Sequence, residues 1–313
     1  LNNEIFVKIL FEKIIINSIQ KMKKHLLLFS IAAILLTACK DKDKPVSEEN
    51  PASQETSSRP TAPKAVGTPR ILFIGNSHTE FFVSAPTIWG EICEANHQPM
   101  NIDQLVTMGV SIDEVYADHQ KEADQNFAKI DKDGNYYDYI ILQESTPVAL
   151  AELDKYKENV KMMVEKIRKN SPDAAVYIYE LMSPLPFADE EYKEYFDEIQ
   201  KNAIEVAKTT KNAGLFRVGD AVNDAYNGKN GYNYLVANKD NLRFGESTLH
   251  LLNDGGYLQG ALLFATIFNK KPMMPKELTL STGTGDNDAM KKQEVSKAIS
   301  NPKALEEIAF GNR

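Results

Sequence analysis

Ile71-Leu72-Phe73-Ile74 is an unbroken apolar run, preceded by Pro69-Arg70 and followed at once by Gly75-Asn76-Ser77-His78-Thr79-Glu80. A run of this kind, without polar alternation, predicts a strand covered on both faces, as in a parallel sheet. Glycine lets the backbone turn sharply, and asparagine tolerates the dihedral angles of such a corner. Ser77 therefore falls where a strand gives way to a helix, at the carboxyl edge of the sheet. Ligands of open α/β sheets bind at that edge. Taken alone, a serine in this place has two readings. It caps a helix by accepting from free N–H groups, or it offers its hydroxyl as a nucleophile.

The same pattern recurs along the chain. Met100 to Thr107 reads as a second strand ending at Met108-Gly109-Val110-Ser111. A helix is expected from Ser111, with Asp113 and Glu114 in a first turn whose dipole favours negative charge. Tyr137 to Gln143, Ala174 to Tyr179 and Leu215 to Val218 read as further strands. Helical spacing covers Thr87–Ala95, Glu152–Lys169, about Ala188–Thr210, Asp220–Tyr226, Gly255–Phe268 and Asp288–Ile299. Strands alternating with helices predict an α/β fold, a flavodoxin-like three-layer α/β/α sandwich around a mainly parallel sheet of about five strands. Cys93, on the apolar side of the first helix, reads as a small buried residue.

The amino-terminal part follows different rules. Met22-Lys23-Lys24-His25 is basic, Leu26–Leu36 is apolar but too short to span a bilayer, and Thr37-Ala38-Cys39 is a small-residue cleavage site. Residues 1–38 thus read as an upstream segment and a signal peptide. Leu36-Thr37-Ala38-Cys39 resembles the bacterial lipobox. The resemblance implies that Cys39 is acylated and that the protein is lipid-anchored in the cell envelope, periplasmic or on the outer surface. Lys40 to Thr68 is rich in Lys, Glu, Ser, Thr and Pro, too poor in apolar surface to offset the entropy of ordering. Residues 39–69 are therefore expected to be a tether and 70–313 the folded domain.

Several function classes drop out. The net charge is −8, without a basic block in the expected domain, so nucleic acid is not an expected partner. Two cysteines make no disulfide framework, no Cys/His cluster suggests a metal, and no cofactor is expected. Asp131-Lys132-Asp133-Gly134-Asn135 lacks the closing glutamate of a calcium loop and reads as a turn.

Three strand exits carry unusual residues, Ser77, Gly109 and Gln143, and in a parallel sheet all three lie on one edge. Near the end of the chain, Gly245-Glu246-Ser247-Thr248-Leu249-His250 sets a histidine just before the helix that begins at Gly255. This set resembles the SGNH (GDSL-like) hydrolase superfamily over Arg70 to Phe268. Ile74-Gly75-Asn76-Ser77 fits its first block, which implies that Ser77 is the nucleophile. Gly109 fits the second-block glycine, whose N–H binds the oxyanion. Leu142-Gln143-Glu144 stands where the third block has Gly-x-Asn-Asp, so Gln143 replaces the oxyanion asparagine. His250, with Gly255 and Tyr257 after it, fits the last block as general base. The likeness is greatest to an uncharacterised branch of bacterial lipoproteins whose third block reads Leu-Gln-Glu.

The acid of the superfamily lies three residues before the histidine, and here Ser247 holds that position. Glu246, one residue away, is the expected third member; a backbone carbonyl, Asp240 and Asp254 are alternatives. Serine needs a base to take its proton, which an imidazole does near neutral pH. The N–H groups of Ser77 and Gly109 and the Gln143 amide would surround the oxyanion, and a carboxylate would orient the imidazole. His78 is expected to line the pocket and His119 to lie on a helix face. The superfamily resemblance implies a serine esterase acting on a small-molecule or glycan ester; with the expected envelope location it implies O-acetyl groups on carbohydrate as the substrate, and the lipobox resemblance implies the membrane as a partner through the lipid. The alternative is an envelope protein that binds glycan at the same edge without turnover, a reading favoured by the serine at position 247.

Overall fold

The computed structural model describes residues 59–130, 134, 136–245, 249–283 and 290–313. Cys39 and the expected signal segment lie outside the described residues, as do Glu246, Ser247 and Thr248. Strands β1 (Arg70–Gly75), β2 (Asn101–Val106), β3 (Tyr139–Leu142), β4 (Ala175–Tyr179) and β5 (Ala213–Phe216) form one sheet in the order β2-β1-β3-β4-β5. Every pairing in it is parallel. Ile74 is level with Leu105 on one side and Leu142 on the other, so the exits of β1, β2 and β3 stand side by side. The chain crosses from β2 over β1 to β3, and a sheet of this order binds ligands where that reversal occurs. All six residues of β1 are buried, as the uninterrupted apolar run requires.

Helices cover both faces. On one side α2 (Ile112–Ala128), α4 (Leu153–Arg168) and α5 (Tyr192–Thr209) pack together. On the other lie α1 (Ala85–Ala95), α6 (Val218–Tyr226), α7 (Asn253–Phe268) and α9 (Pro302–Gly311). Ser84 caps α1, accepting from the Thr87 N–H at 3.4 Å. Ser111 and Glu114 form a capping box at the start of α2, with the Ser111 N–H donating to the Glu114 carboxylate at 2.9 Å. α7 is apolar on nearly every side and is buried accordingly. Its Gly260 lets α1 approach, since a side chain there would meet Ile88 Cγ2 at 2.7 Å. A larger residue would overpack this contact, at a cost of about 1–3 kcal/mol.

The structure departs from the sequence expectations in several places. The fifth strand runs Ala213–Phe216 rather than Leu215–Val218, and Val218 already opens α6. Of the helix expected over Asp288–Ile299, the described residues form instead β9 (Met290–Glu294) followed by one short turn, α8 (Val295–Ala298). β9 pairs antiparallel with β8 (Glu277–Ser281) outside the main sheet, as the two-residue strands β6 (Leu235–Val236) and β7 (Lys239–Asp240) pair with each other. Glu91 of α1 holds the β8–β9 hairpin, accepting from the Thr279 N–H at 2.8 Å and pairing with Lys292 at 2.7 Å. Pairing with a distant partner here overrides the local preference of a charged stretch. Two further helices, α3 (Thr146–Ala151) and α9, were not expected.

Pro60 and Thr61, within the range assigned above to the tether, lie against the domain. The Thr61 N–H donates to Asn212 Oδ1 at 2.8 Å, and Asn212 Nδ2 donates back to Thr61 O at 2.9 Å. Pro60 occupies the space that a side chain at Gly214 would need. Asn212 sits at a loop position with φ 50°, where asparagine is favoured over bulkier residues. Among the described residues no helix is long and apolar enough to cross a membrane.

Candidate active site

The turn after β1 is organised around Asn76. Its carbonyl accepts from the Thr79 N–H at 2.9 Å, and its Oδ1 accepts from the His78 N–H at 3.2 Å. Asn76 Nδ2 donates to Val110 O at 2.8 Å, which ties the turn to the loop after β2. From the exit of β3, Gln143 Oε1 accepts from the Asn76 N–H at 2.7 Å and from the Thr79 hydroxyl at 3.1 Å. Gln143 Nε2 donates to Asn76 Oδ1 at 3.0 Å and also to Glu144 O. Gly75 leaves room for this arrangement, because a side chain there would stand 2.5 Å from Gln143 Oε1. The three strand exits are thus fastened to one buried asparagine.

Ser77 is partly exposed on this turn. The helix begins only at Ala85 and is capped by Ser84, so Ser77 is not its cap. Gly109 is exposed and has φ 74°, a left-handed conformation that glycine adopts without strain. Among the described residues neither the Ser77 N–H nor the Gly109 N–H meets an acceptor. Beneath this loop, His119 of α2 places Nε2 3.1 Å from Thr107 Oγ1 and 3.3 Å from Val106 O.

The loop bearing His250 folds back on itself. Its Arg243 and Leu251 pair antiparallel, the Phe244 N–H donates to His250 O at 2.9 Å, and the Leu252 N–H donates to Leu242 O at 2.8 Å. This brings the His250 ring onto the segment that follows Ser77. It stacks on Phe81 with centroids 4.5 Å apart, meets Phe82 edge-on at 5.9 Å, and lies 5.9 Å from the ring of His78. Burial lowers the His250 pKa to about 4. Burial, and then the charge His250 would carry, lowers that of His78 to about 3. Both rings are therefore neutral in mildly acidic and neutral water, and a neutral imidazole can accept a proton. His78 Nε2 is 2.9 Å from the Thr146 hydroxyl.

Other charged groups hold the surrounding loops and helix starts. Asp240 accepts from the Leu242 and Arg243 N–H groups at 2.7 and 3.0 Å and from the Tyr226 hydroxyl at 2.5 Å. Asp254 accepts from the Tyr232 hydroxyl at 2.6 Å and from Ser300. Both carboxylates thus brace the loops on either side of His250. Glu144, next to Gln143, is fully buried, and burial raises its pKa. It accepts from the N–H groups of Ile112 at 3.2 Å and Ser145 at 2.7 Å, so one carboxyl group serves the starts of α2 and α3. The roles of Asn76, Phe81, Phe82 and Glu144 escaped the sequence reading. The polar pair Gln143-Glu144 directly after a buried strand was the available signal for the last of them.

No protein-family profile and no curated protein matches the chain. Solved structures do. A DUF4886 family protein from Bacteroides uniformis is 18% identical over 78% of this chain and 93% of that one, with a TM-score of 0.53. A protein described as a GDSL-like lipase, from Parabacteroides merdae, is 13% identical over 67% of this chain and 100% of that one, with a TM-score of 0.50. At such identities the likeness concerns the fold. Together with the five-stranded parallel sheet and its helical layers, it shows that this chain has the fold of the SGNH (GDSL-like) hydrolases.

Proposed function

We propose that the protein is a serine esterase of the bacterial cell envelope, anchored through a lipid on Cys39, with O-acetylated carbohydrate as its substrate. The observation that supports the enzymatic part is the packing of His250 against His78, Phe81 and Phe82, the residues that follow Ser77. The anchor rests on the lipobox resemblance, and the substrate on the superfamily resemblance and the expected location.

In this reading His250 takes the Ser77 proton as Oγ bonds to the ester carbonyl carbon, and the carbonyl π pair moves to oxygen. The N–H groups of Ser77 and Gly109 receive that oxyanion; losing one such donor typically costs ~2.7–4 kcal/mol of barrier. The Gln143 amide is engaged with Asn76 and Glu144, so it reaches an oxyanion only by exchanging its Asn76 bond for the substrate. The alcohol then departs with the proton held on His250, and water repeats the sequence on the acyl-enzyme. Glu246 is the carboxylate assigned to orient the imidazole.

Hydrolysis of a chromogenic acetyl ester by the purified protein tests the proposal. Ser77→Ala should abolish it, and unchanged turnover would remove the nucleophile. Glycan binding without labelling by a serine-directed fluorophosphonate would favour the non-catalytic alternative. For the anchor, Cys39→Ser should release the protein from the detergent phase of cell extracts.

A further inference from the structure

The chain between Ser77 and α1 makes an excursion closed by the antiparallel bridge of Glu80 with Ser84 and by the Phe81 N–H donating to Val83 O at 3.2 Å. It carries two phenylalanines. Phe82 is buried, packs on Phe244 at 4.8 Å, and meets Phe81 edge-on at 4.6 Å. Phe81 is held by this contact and lies over the His250 ring, its plane within 30° of the imidazole's. The segment that carries the serine thus also carries the surface on which the histidine rests.

We propose that Phe81 is a positioning residue for His250: its ring sets the plane of the imidazole and stabilises the imidazolium formed when the serine proton is transferred. The inference rests on the esterase reading above. The χ2 torsion of histidine is broad, so an imidazole needs a neighbour to define its plane. Proton transfer in turn needs near-final geometry. A phenyl face bears the negative part of its quadrupole and attracts a cation more than a neutral ring. The proton leaves Ser77 Oγ as the Oγ–C bond forms, and the cation it creates faces Phe81 until the departing alcohol takes the proton away. An interaction stronger in that state than in the ground state raises kcat and leaves KM nearly unchanged. His78, the other titratable ring against His250, stays neutral over this range and does not compete for the proton.

Phe81→Leu keeps an apolar side chain and removes the ring, whereas Phe81→Tyr and Phe81→Trp keep a face. On the chromogenic acetyl ester, Phe81→Leu should lower kcat about tenfold or more, the scale of one facing ring. KM should stay within about twofold, and the acid limb of the pH–rate profile should move to lower pH. The tyrosine and tryptophan variants should return most of the lost kcat, and the larger tryptophan face should move the limb upward. An unchanged kcat in Phe81→Leu, or a loss that neither aromatic variant restores, overturns the proposal. If Phe81→Leu does not fold, the tryptophan variant decides alone, and an unmoved limb overturns the proposal. Ser77→Ala and His250→Ala run alongside: if both retain activity, the Ser77–His250 mechanism itself fails, and if both are dead while Phe81→Leu is fully active, only the role of Phe81 fails.

Discussion

Gln143 and Asn76 bond to each other twice, the Asn76 backbone N–H donating to Gln143 Oε1 at 2.7 Å and Gln143 Nε2 donating to Asn76 Oδ1 at 3.0 Å. The pair spans the exits of β1 and β3, where the strand order reverses, and so fixes how Ser77 leaves the sheet. Both residues are buried. Gln143→Leu would strand the Asn76 N–H and the Thr79 hydroxyl, and losses of about 1–3 kcal/mol for each unsatisfied donor predict a fall of about 2–6 kcal/mol in unfolding free energy. Gln143→Glu keeps an acceptor but sets a carboxylate oxygen against Asn76 Oδ1 and Glu144 O, so it should also destabilise. Urea unfolding checks both variants, and a wild-type midpoint would show the pair to be dispensable.

His250 should leave its mark on the pH–rate profile. A general base works in its neutral form, and burial holds this one neutral down to a pKa of about 4. Burial alone would set the acid limb of kcat/KM, which reports the free enzyme, near pH 4 rather than near the 6.5 of an exposed imidazole. A carboxylate against the ring would favour the cation and move the limb upward. A limb well above 4 that falls back in Glu246→Gln would therefore identify Glu246 as that carboxylate. A limb near 4 that Glu246→Gln leaves in place would remove Glu246 from the triad.

How much of this was legible in the sequence depends on where each feature gets its energy. The strand over Ile71–Ile74 and its neighbours follow from continuous apolar runs, a signal that survives any tertiary arrangement. α3 and α9 were missed although their starts are marked by a polar residue and an early proline, Ser145-Thr146-Pro147 and Asn301-Pro302. Proline is favoured there because the first N–H groups of a helix have no internal partner. The β8–β9 hairpin was not legible, because Glu91 and Lys292 are brought together only by the fold. At the candidate site the expectations for Ser77, Gly109, Gln143 and His250 came from residue type, order and the superfamily resemblance. The sequence could not supply Phe81 or Phe82, since an aromatic pair after a turn reads as ordinary core until its partner is known.

Acid stability offers a test of the buried rings. In the unfolded chain His78 titrates near 6.5, whereas in the fold burial lowers its pKa to about 3. Between those values the unfolded state binds a proton that the native state refuses, so this term weakens the fold as pH drops through the window and levels off below it. The slope is about 1.4 kcal/mol per pH unit, which amounts to about 2 kcal/mol between pH 7 and pH 5. His78→Gln removes the term and can still reach the Thr146 hydroxyl. Carboxylates titrate in both proteins, so the comparison is between their pH dependences: wild type should lose about 2 kcal/mol more than the variant over that interval. Parallel curves would mean that His78 is not held neutral.

Arg243 joins the His250 loop to the exit of β4. It is fully buried, and its guanidinium donates to Ser183 O at 2.5 Å, to Leu185 O at 2.9 Å and to the Tyr226 hydroxyl at 2.7 Å. That hydroxyl donates onward to Asp240 at 2.5 Å. Arg243→Met would leave two carbonyls without a donor and Asp240 without its relayed positive charge, and breaking a buried charge network of this kind costs about 3–5 kcal/mol. Lysine is a point charge on a flexible stem and cannot reproduce the planar fork that reaches several acceptors at once. Both variants should therefore melt below wild type, the methionine variant by about 10 °C for a protein of this size, with lysine recovering only part of the difference. Because Arg243 precedes Phe244, whose N–H donates to His250 O, activity measured well below both melting points should fall as well. Wild-type melting in Arg243→Lys would show that charge alone, without the fork, holds the loop.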